Sequence, residues 1–190
     1  MYARYGKRLF DVLAALLVAP FASLLCLGCI IAIRLDDGGA ALFRQTRVGY
    51  RRTPFVLYKL RTMSVDTGDH ASHEVSASKI TSIGSFLRKT KLDELPQLFN
   101  VLRGDMSLVG PRPCLPSQEL LVAERDRLDV FDVRPGITGP AQLSGIDMST
   151  PVELAAVDAV YAKQLNFRSD MRYIVNTALG RGSGDAVKRL

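Results

Sequence analysis

The chain has 190 residues, a length that suits one compact domain with its own hydrophobic core. Its 25 Lys and Arg outnumber its 19 Asp and Glu, and the net charge of +6 suits a polyanionic partner: nucleic acid, anionic lipid headgroups or a nucleotide diphosphate. The three cysteines, Cys26, Cys29 and Cys114, are odd in number and form no metal-like cluster. They argue against both a disulfide framework and a zinc site.

The first predicted element is a long apolar segment. Residues 12–33 contain no charged side chain, and a straight helix of this length is about 33 Å long, enough to cross the core of a bilayer. A secretory signal peptide fits less well, because the apolar run is too long and no A-x-A-like cleavage site follows it. A single transmembrane helix is therefore one interpretation of the segment.

The distribution of charge favours a different topology. Residues 1–61 carry ten Lys or Arg and three Asp or Glu, so most of the positive excess flanks the apolar segment and indicates a membrane surface ahead of nucleic acid. Arg4, Lys7 and Arg8 precede the segment, and arginines also follow it. A true span would carry one basic flank across the membrane, against the usual bias of Lys and Arg towards the cytoplasm.

A proline offers a way to keep both flanks on one side. Pro20 lies inside the apolar run, where it removes one backbone hydrogen bond and favours a kink. A helix broken at Pro20 could enter one leaflet and return, with Ser23 as a donor to the carbonyls that the break would free. We therefore predict a re-entrant membrane helix-break-helix over residues 1–36, ahead of the transmembrane span.

A short β-hairpin is predicted next. Residues 55–60 are apolar and partly alternating, which is typical of a strand, and a basic turn with glycine and proline lies just before them at residues 48–54. Residues 64–80 are polar and predict a mobile surface loop. Its His70 and His73 lack further metal-type ligands, so solvated histidines are the preferred interpretation.

Helical patterns dominate the remainder of the chain. One starts at Ser82, and a second ends at Gly104, a typical helix stop, with Pro96 in its first turn. Residues 151–165 and 171–179 show two more helical patterns. The predicted fold class is therefore α+β and mostly helical.

The adjacent acids Asp93 and Glu94 are the strongest candidates for chemistry. They lie at or just before the predicted helix that contains Pro96, where the helix dipole and a preceding basic run favour ionised carboxylates. Such carboxylates bind Mg²⁺ beside phosphate oxygens, or attack phosphorus to form an acyl phosphate. The alternative is a helix cap with an acidic first turn, which is common in proteins.

Several basic residues in rigid or ordered settings suggest a phosphate site. Arg112 is held between Gly110-Pro111 and Pro113, and Arg134 lies in a similar R-P-G sequence. Lys59 is at the end of the predicted strand. For each of them alone, a solvated or salt-bridged surface charge is the alternative; together they suggest a site for a pyrophosphate and a metal.

Taken together, these segments closely resemble the small monotopic phosphoglycosyl transferases of bacteria, the sugar-transferase family that starts glycan assembly on polyprenol phosphate. The matching segments occur in the family's order and cover nearly the whole chain. They are KRLFD, FRQTRVG, FVLYKLRTM, LRKTKLDELPQLFNVLRGDMSLVGPRP, VRPGITGPAQLSG and DAVYAKQL. One departure is Ala19-Pro20, where the family often has Ser-Pro.

The resemblance implies a Mg²⁺-dependent ping-pong reaction, with Asp93 as nucleophile on the phosphate attached to the sugar of a UDP-sugar. UMP would leave, and polyprenol phosphate would then accept the phospho-sugar. Glu94 would hold the metal or assist proton transfer. The residues implied in phosphate or nucleotide binding are Lys59, Arg88, Arg112 and Arg134, and Gln142 would line the site.

The resemblance also implies an organisation and a location. Residues 1–36 would form the re-entrant hairpin, 37–180 a cytoplasmic catalytic domain with amphipathic interfacial helices, and 181–190 a basic tail. The expected location is the cytoplasmic face of the bacterial inner membrane, in contact with its lipids and not with nucleic acid; a homodimer stays open.

Two other functions stay open as alternatives. A non-catalytic, membrane-anchored protein could bind anionic lipid or nucleic acid, although the absence of Trp argues against stacking on bases. A metal-dependent nucleotide-sugar hydrolase could use water as acceptor, although the membrane segment then lacks a purpose. Nothing in the sequence indicates which sugar is transferred.

Overall fold

The computed structural model describes residues 2–67 and 77–182. The helices are Lys7–Asp37 (α1), Ser82–Thr90 (α2), Gln97–Arg103 (α3), Glu119–Arg127 (α4), Pro140–Ser144 (α5), Pro151–Lys163 (α6) and Phe167–Ala178 (α7). The strands are Leu42–Val48 (β1), Pro54–Leu60 (β2), Ser107–Val109 (β3) and Gly136–Thr138 (β4). The fold is mostly helical with little sheet, as predicted. His70, His73 and most of the predicted basic tail lie outside the described residues.

The long apolar helix predicted from the sequence is α1. By length and composition it could cross a membrane. It ends at Asp37, where Gly38 has a φ of 70° and donates its N–H to the Arg34 carbonyl at 3.0 Å; glycine suits this left-handed conformation because it has no Cβ. Large apolar side chains project from the helix, among them Leu17, 83% exposed, and Phe21, 72% exposed.

The helix α1 continues through Pro20, so the backbone is not interrupted there, and a re-entrant bend at this residue stays a prediction. Proline removes only the bond from its own nitrogen to the carbonyl of Leu16, while the bonds of the adjoining turns maintain the helix on either side. Ser23 donates its hydroxyl at 2.7 Å to the carbonyl of Ala19. The predicted donor therefore bonds a carbonyl near the proline, though not the one that the proline frees.

Both ends of α1 pack against the folded remainder of the chain. Near the first end, Ala15 shares a core cluster with Val101 and Met106. Near the second end, Ile33 shares a core cluster with Leu60 and Leu87. The helix is thus an integral part of the domain along its inner face, and its outer face is apolar and exposed.

The predicted hairpin is formed by β1 and β2. They pair antiparallel, with Leu42 opposite Leu60 and Val48 opposite Pro54. Side chains alternate between the two faces of a strand, and the buried face of β2 includes Lys59 near its end. The hairpin thereby directs a lysine side chain into the protein.

A second pair of strands, β3 and β4, was not predicted. Ser107 lies opposite Gly136 and Val109 opposite Thr138 in parallel register. Three-residue strands are too short to show a readable periodicity. The pairing brings the two glycine- and proline-rich segments of the sequence side by side. A further core cluster involves α4, α5 and α6, and its buried members are Cys114, Leu121, Phe131, Ala141, Leu154 and Ala155.

Candidate active site

The acidic doublet lies in a short 3-10 turn, Leu92–Glu94, between α2 and α3. Lys91 begins this turn in a left-handed conformation with a φ of 59°, so the chain reverses sharply after α2. Asp93 is 2% and Glu94 8% exposed. Burying an ionised carboxylate without a partner is costly, so both acids require a cation close by.

Each carboxylate has its own cation. Lys59 Nζ lies 2.7 Å from Asp93 Oδ2, and both side chains are almost fully buried. Arg112 Nη2 lies 2.8 Å from Glu94 Oε1, at a more accessible position. The structure therefore brings together four residues that the sequence analysis singled out, taken from β2, the turn before α3 and the loop after β3.

The loop that carries Arg112 is held by close backbone packing. Gly110 donates its N–H to the Thr138 carbonyl at 2.8 Å, and Gly136 donates to the Pro111 carbonyl at 2.9 Å. A Cβ added at Gly110 would come within 2.4 Å of the Arg134 carbonyl oxygen, so a larger residue does not fit. The rigidity predicted for this loop thus arises from its contact with β4 as well as from its prolines.

The guanidinium of Arg88 is hydrogen-bonded at its Nε but to no described residue at its Nη1. Its Nε donates to Thr62 Oγ1 at 2.8 Å, and Thr62 is a buried residue just after β2. Among the described residues, Arg88 Nη1 is buried and has no hydrogen-bond partner. A buried guanidinium N–H requires an acceptor, and a phosphate oxygen is the acceptor that its planar fork suits best.

Two other predicted residues make contacts of a structural kind. Arg134 donates Nε to the carbonyl of Gly104 at 2.9 Å, just past the C-terminal end of α3, and lies over the Tyr50 ring at 5.1 Å. Arg134 therefore lies at the C-terminal end of α3, whereas the acidic doublet precedes its N-terminal end, about 10 Å away along the helix. Gln142 donates Nε2 to the Ile137 carbonyl at 3.0 Å, a contact that ties α5 to β4.

An apolar groove lies next to the doublet, between the middle of α1 and α3. Its volume is about 440 Å³. Leu95 and Pro96, which immediately follow the acids, form part of its wall. The other lining residues are Ala19, Ala22, Ser23, Cys26, Ile30, Leu42, Tyr58, Leu60, Leu98, Phe99 and Leu102. An apolar groove therefore lies directly beside the buried acids and their cations.

A buried polar network surrounds Asp170 and was not predicted from the sequence. Its carboxylate pairs with Lys7 Nζ at 2.7 Å and accepts hydrogen bonds from the Tyr2 hydroxyl at 2.7 Å and the Tyr161 hydroxyl at 2.9 Å. Burial, followed by the hydrogen bond to Asp170 and the charge of that carboxylate, raises the pKa of both phenols far above their usual range. They stay protonated and act as donors.

A pattern in the sequence was available for part of this network. Lys7 lies in KRLFD and Tyr161 in DAVYAKQL, two of the segments that carry the family resemblance. Asp11, in the first of them, accepts a hydrogen bond from the Leu108 N–H at 3.1 Å. Partnerships between residues so far apart in the chain cannot be deduced from spacing.

Comparison with known proteins identifies relatives along nearly the whole chain. The profile of the family described as bacterial sugar transferase matches residues 2–181. A UDP-glucose:undecaprenyl-phosphate glucose-1-phosphate transferase of Caulobacter vibrioides is 43% identical over 181 residues, covering 90% of this chain and 67% of that protein. The sugar transferase EpsL of Bacillus subtilis is 37% identical, covering 90% of this chain and 84% of its own.

A longer relative shares a smaller part of its length. The UDP-N-acetylgalactosamine-undecaprenyl-phosphate N-acetylgalactosaminephosphotransferase of Aeromonas hydrophila is 41% identical over 144 residues. The match covers 72% of this chain and 33% of that protein. Together with the profile match, these similarities confirm the resemblance that the motifs indicate: the chain belongs to the bacterial sugar transferase family, as a phosphoglycosyl transferase.

Proposed function

We propose that this protein moves a sugar-1-phosphate from a UDP-sugar to polyprenol phosphate, giving a polyprenyl diphosphate sugar and UMP. The observation that carries the proposal is the buried pair Asp93 and Glu94, each with a cation within 2.8 Å. Relatives that share most of this chain are named for transfer of a sugar phosphate to undecaprenyl phosphate. Such a reaction requires a site that binds the diphosphate of the donor and the phosphate and chain of the lipid acceptor.

In the first half-reaction, a carboxylate oxygen of Asp93 attacks the phosphorus attached to the sugar. The bond from that phosphorus to the bridging oxygen of the diphosphate breaks, and UMP leaves with the electron pair. In the second half-reaction, a phosphate oxygen of the lipid attacks the same phosphorus and the aspartate is released. Splitting the reaction in this way replaces one difficult encounter of two substrates by two simpler steps.

The basic residues of the site manage the charge of this transfer. Lys59 neutralises Asp93 before the donor binds. Its ammonium group can then contact the oxygens of the phosphate that approaches Asp93. Arg112 lies beside Glu94, and Arg88 Nη1 is a buried donor that can bind a phosphate oxygen. Fixed cations aimed at phosphoryl oxygens stabilise the transition state because they need no reorganisation during the reaction.

The donor set also fits Mg²⁺. Asp93 and Glu94 supply adjacent carboxylate oxygens, and in the described ranges, 2–67 and 77–182, no cluster of three or more His, Cys, Asp or Glu could hold a metal by itself. Mg²⁺ is typically bound by one or two carboxylates together with substrate phosphates and water. When bound, the ion would neutralise phosphate charge and favour departure of UMP.

The arrangement of α1 supports a lipid acceptor and a location at one face of a membrane. The apolar groove between α1 and α3 begins at Leu95 and Pro96, directly after the acids, so a polyprenyl chain lying in it would deliver its phosphate to the site. We propose that α1 enters the cytoplasmic leaflet of the inner membrane and does not cross it, because both of its ends pack on the same domain.

The reaction is tested by supplying purified enzyme with polyprenol phosphate, Mg²⁺ and a panel of UDP-sugars, and by measuring UMP and lipid product. The panel includes UDP-glucose, UDP-galactose and UDP-N-acetylgalactosamine, because relatives are named for glucose, galactose and N-acetylgalactosamine. We expect equal amounts of UMP and polyprenyl diphosphate sugar from at least one donor, and neither product from Asp93→Asn. Release of free sugar phosphate in place of the lipid product would instead support a hydrolase.

A further inference from the structure

A buried ion pair joins α4 to α6 and extends to the loop of Arg112. Arg125 donates to Asp158 Oδ2 from Nε at 3.1 Å and from Nη2 at 2.6 Å. Its remaining Nη1 donates at 2.8 Å to the main-chain carbonyl of Arg112. One guanidinium thus holds a carboxylate with two donors and the backbone of a site residue with the third.

Stability alone does not account for this pair. The two side chains are 2% and 0% exposed. Burial raises the pKa of the Asp158 carboxyl above its ordinary value, even though the Arg125 guanidinium acts in the opposite direction. An ion pair that loses this much hydration is commonly no more stabilising than two apolar side chains of similar volume, so the geometry of the pair is its more informative property.

The carbonyl that Arg125 holds belongs to the residue whose guanidinium reaches Glu94. Pro111 and Pro113 flank it and fix φ on both sides. The backbone of Arg112 can therefore adjust little by itself, and its position is determined by what anchors the segment. A change of about 1 Å at that carbonyl would be transmitted to the Arg112 side chain, and displacements of this size are enough to slow catalysis.

We propose that Arg125 and Asp158 are positioning residues, which fix the backbone of Arg112 so that its guanidinium meets Glu94 and the diphosphate of the donor. The inference rests on the proposed function and deepens it: Asp158 on α6 orients Arg125, Arg125 holds the Arg112 carbonyl, and Arg112 reaches Glu94. Neither positioning residue touches a reacting atom.

Two variants separate positioning from folding. Arg125→Lys keeps a positive charge beside Asp158 but lacks the planar fork that serves both partners. The double variant Arg125→Met with Asp158→Leu replaces the ion pair by apolar side chains, which is expected to leave the fold intact while removing the anchor. Arg127→Lys is the matched control, since Arg127 lies in the same helix, is 63% exposed and pairs with Glu124 at 2.7 Å.

The measurements are the thermal unfolding of each variant and its kcat and KM for the UDP-sugar, per folded enzyme. We expect kcat of Arg125→Lys and of the double variant to fall by about 100-fold, with a smaller change in KM, while Arg127→Lys matches wild type. The double variant is decisive if Arg125→Lys does not fold. Wild-type kcat in a folded variant without the anchor would overturn the inference. Absence of UMP release from the wild-type enzyme would instead contradict the proposed function.

Discussion

Thr62 connects the segment after β2 to the arginine near the end of α2. Its hydroxyl accepts the Arg88 Nε–H at 2.8 Å and is largely withdrawn from water, since the residue is 4% exposed. Lys59, three residues earlier in the chain, pairs with Asp93. One short segment therefore provides a cation for the acidic doublet and also orients a second cation nearby.

Replacing Thr62 tests whether this orientation matters. Thr62→Val keeps the shape of the side chain but removes the acceptor, and a hydrogen bond to a charged group contributes about 1.5–3 kcal/mol. We expect kcat/KM for the UDP-sugar to fall by roughly 10- to 100-fold, and Thr62→Ser to restore most of it. Unchanged kcat/KM in a folded Thr62→Val enzyme would show that Arg88 does not depend on the hydroxyl.

Sequence patterns singled out the acids and the arginine that the structure brings together, but not the residues that support them. The doublet of Asp93 and Glu94 could be recognised because adjacent acids before a proline-initiated helix are unusual, and Arg112 because glycine and prolines surround it. Arg134 has a similar local sequence, yet its Nε satisfies the carbonyl of Gly104. A local motif shows that a guanidinium is rigidly presented; the tertiary contacts determine to which group.

The element with the most consequence for location is α1. The basic flanks indicate a membrane surface less strongly than the sequence suggested, because Lys7 binds the buried Asp170 and Arg8 donates to the carbonyls of Val101 and Leu102 at the end of α3. Those two cations therefore serve the interior of the protein. The packing of both ends of α1 on the same domain favours a one-sided helix more strongly.

The topology of α1 is tested by cysteine labelling. In a background with Cys26, Cys29 and Cys114 replaced by alanine, Ala3→Cys reports on the region before α1 and Glu119→Cys on the catalytic domain; both native side chains are exposed. A membrane-impermeant maleimide should label both positions in inverted inner-membrane vesicles and neither in intact spheroplasts. Labelling of Ala3→Cys from the periplasm, with Glu119→Cys labelled only from the cytoplasm, would show that α1 spans the bilayer.

At the scale of the whole molecule, long-range polar contacts hold the beginning and the end of the domain together. Asp170, in α7, binds Lys7 at the start of α1 and the Tyr161 hydroxyl, whose oxygen also lies 3.0 Å from the Val109 carbonyl, an alternative acceptor for its single proton. These contacts link both termini of the described chain to β3, next to the Arg112 loop. The loop that carries Arg112 therefore lies beside contacts that join α1 to α7.

The mostly helical class and the β1–β2 hairpin could be predicted because periodicity and turn residues are local signals. Networks such as Lys7 with Asp170 could not, since they join residues more than 160 positions apart. The β3–β4 pairing was missed because three-residue strands are too short to show a readable periodicity. At Pro20 a local rule predicted a break, whereas α1 continues through this residue; the re-entrant topology stays a prediction.

The central claim is that Asp93 becomes covalently attached to the phospho-sugar. The measurement is intact-protein and peptide mass spectrometry after incubation with Mg²⁺ and an accepted UDP-sugar, without polyprenol phosphate. Wild-type enzyme should gain the mass of one phospho-sugar on the peptide that contains Asp93, release an equal amount of UMP, and lose the added mass when polyprenol phosphate is supplied. No adduct under conditions where the complete reaction runs, or an adduct that persists in Asp93→Asn, would contradict the account.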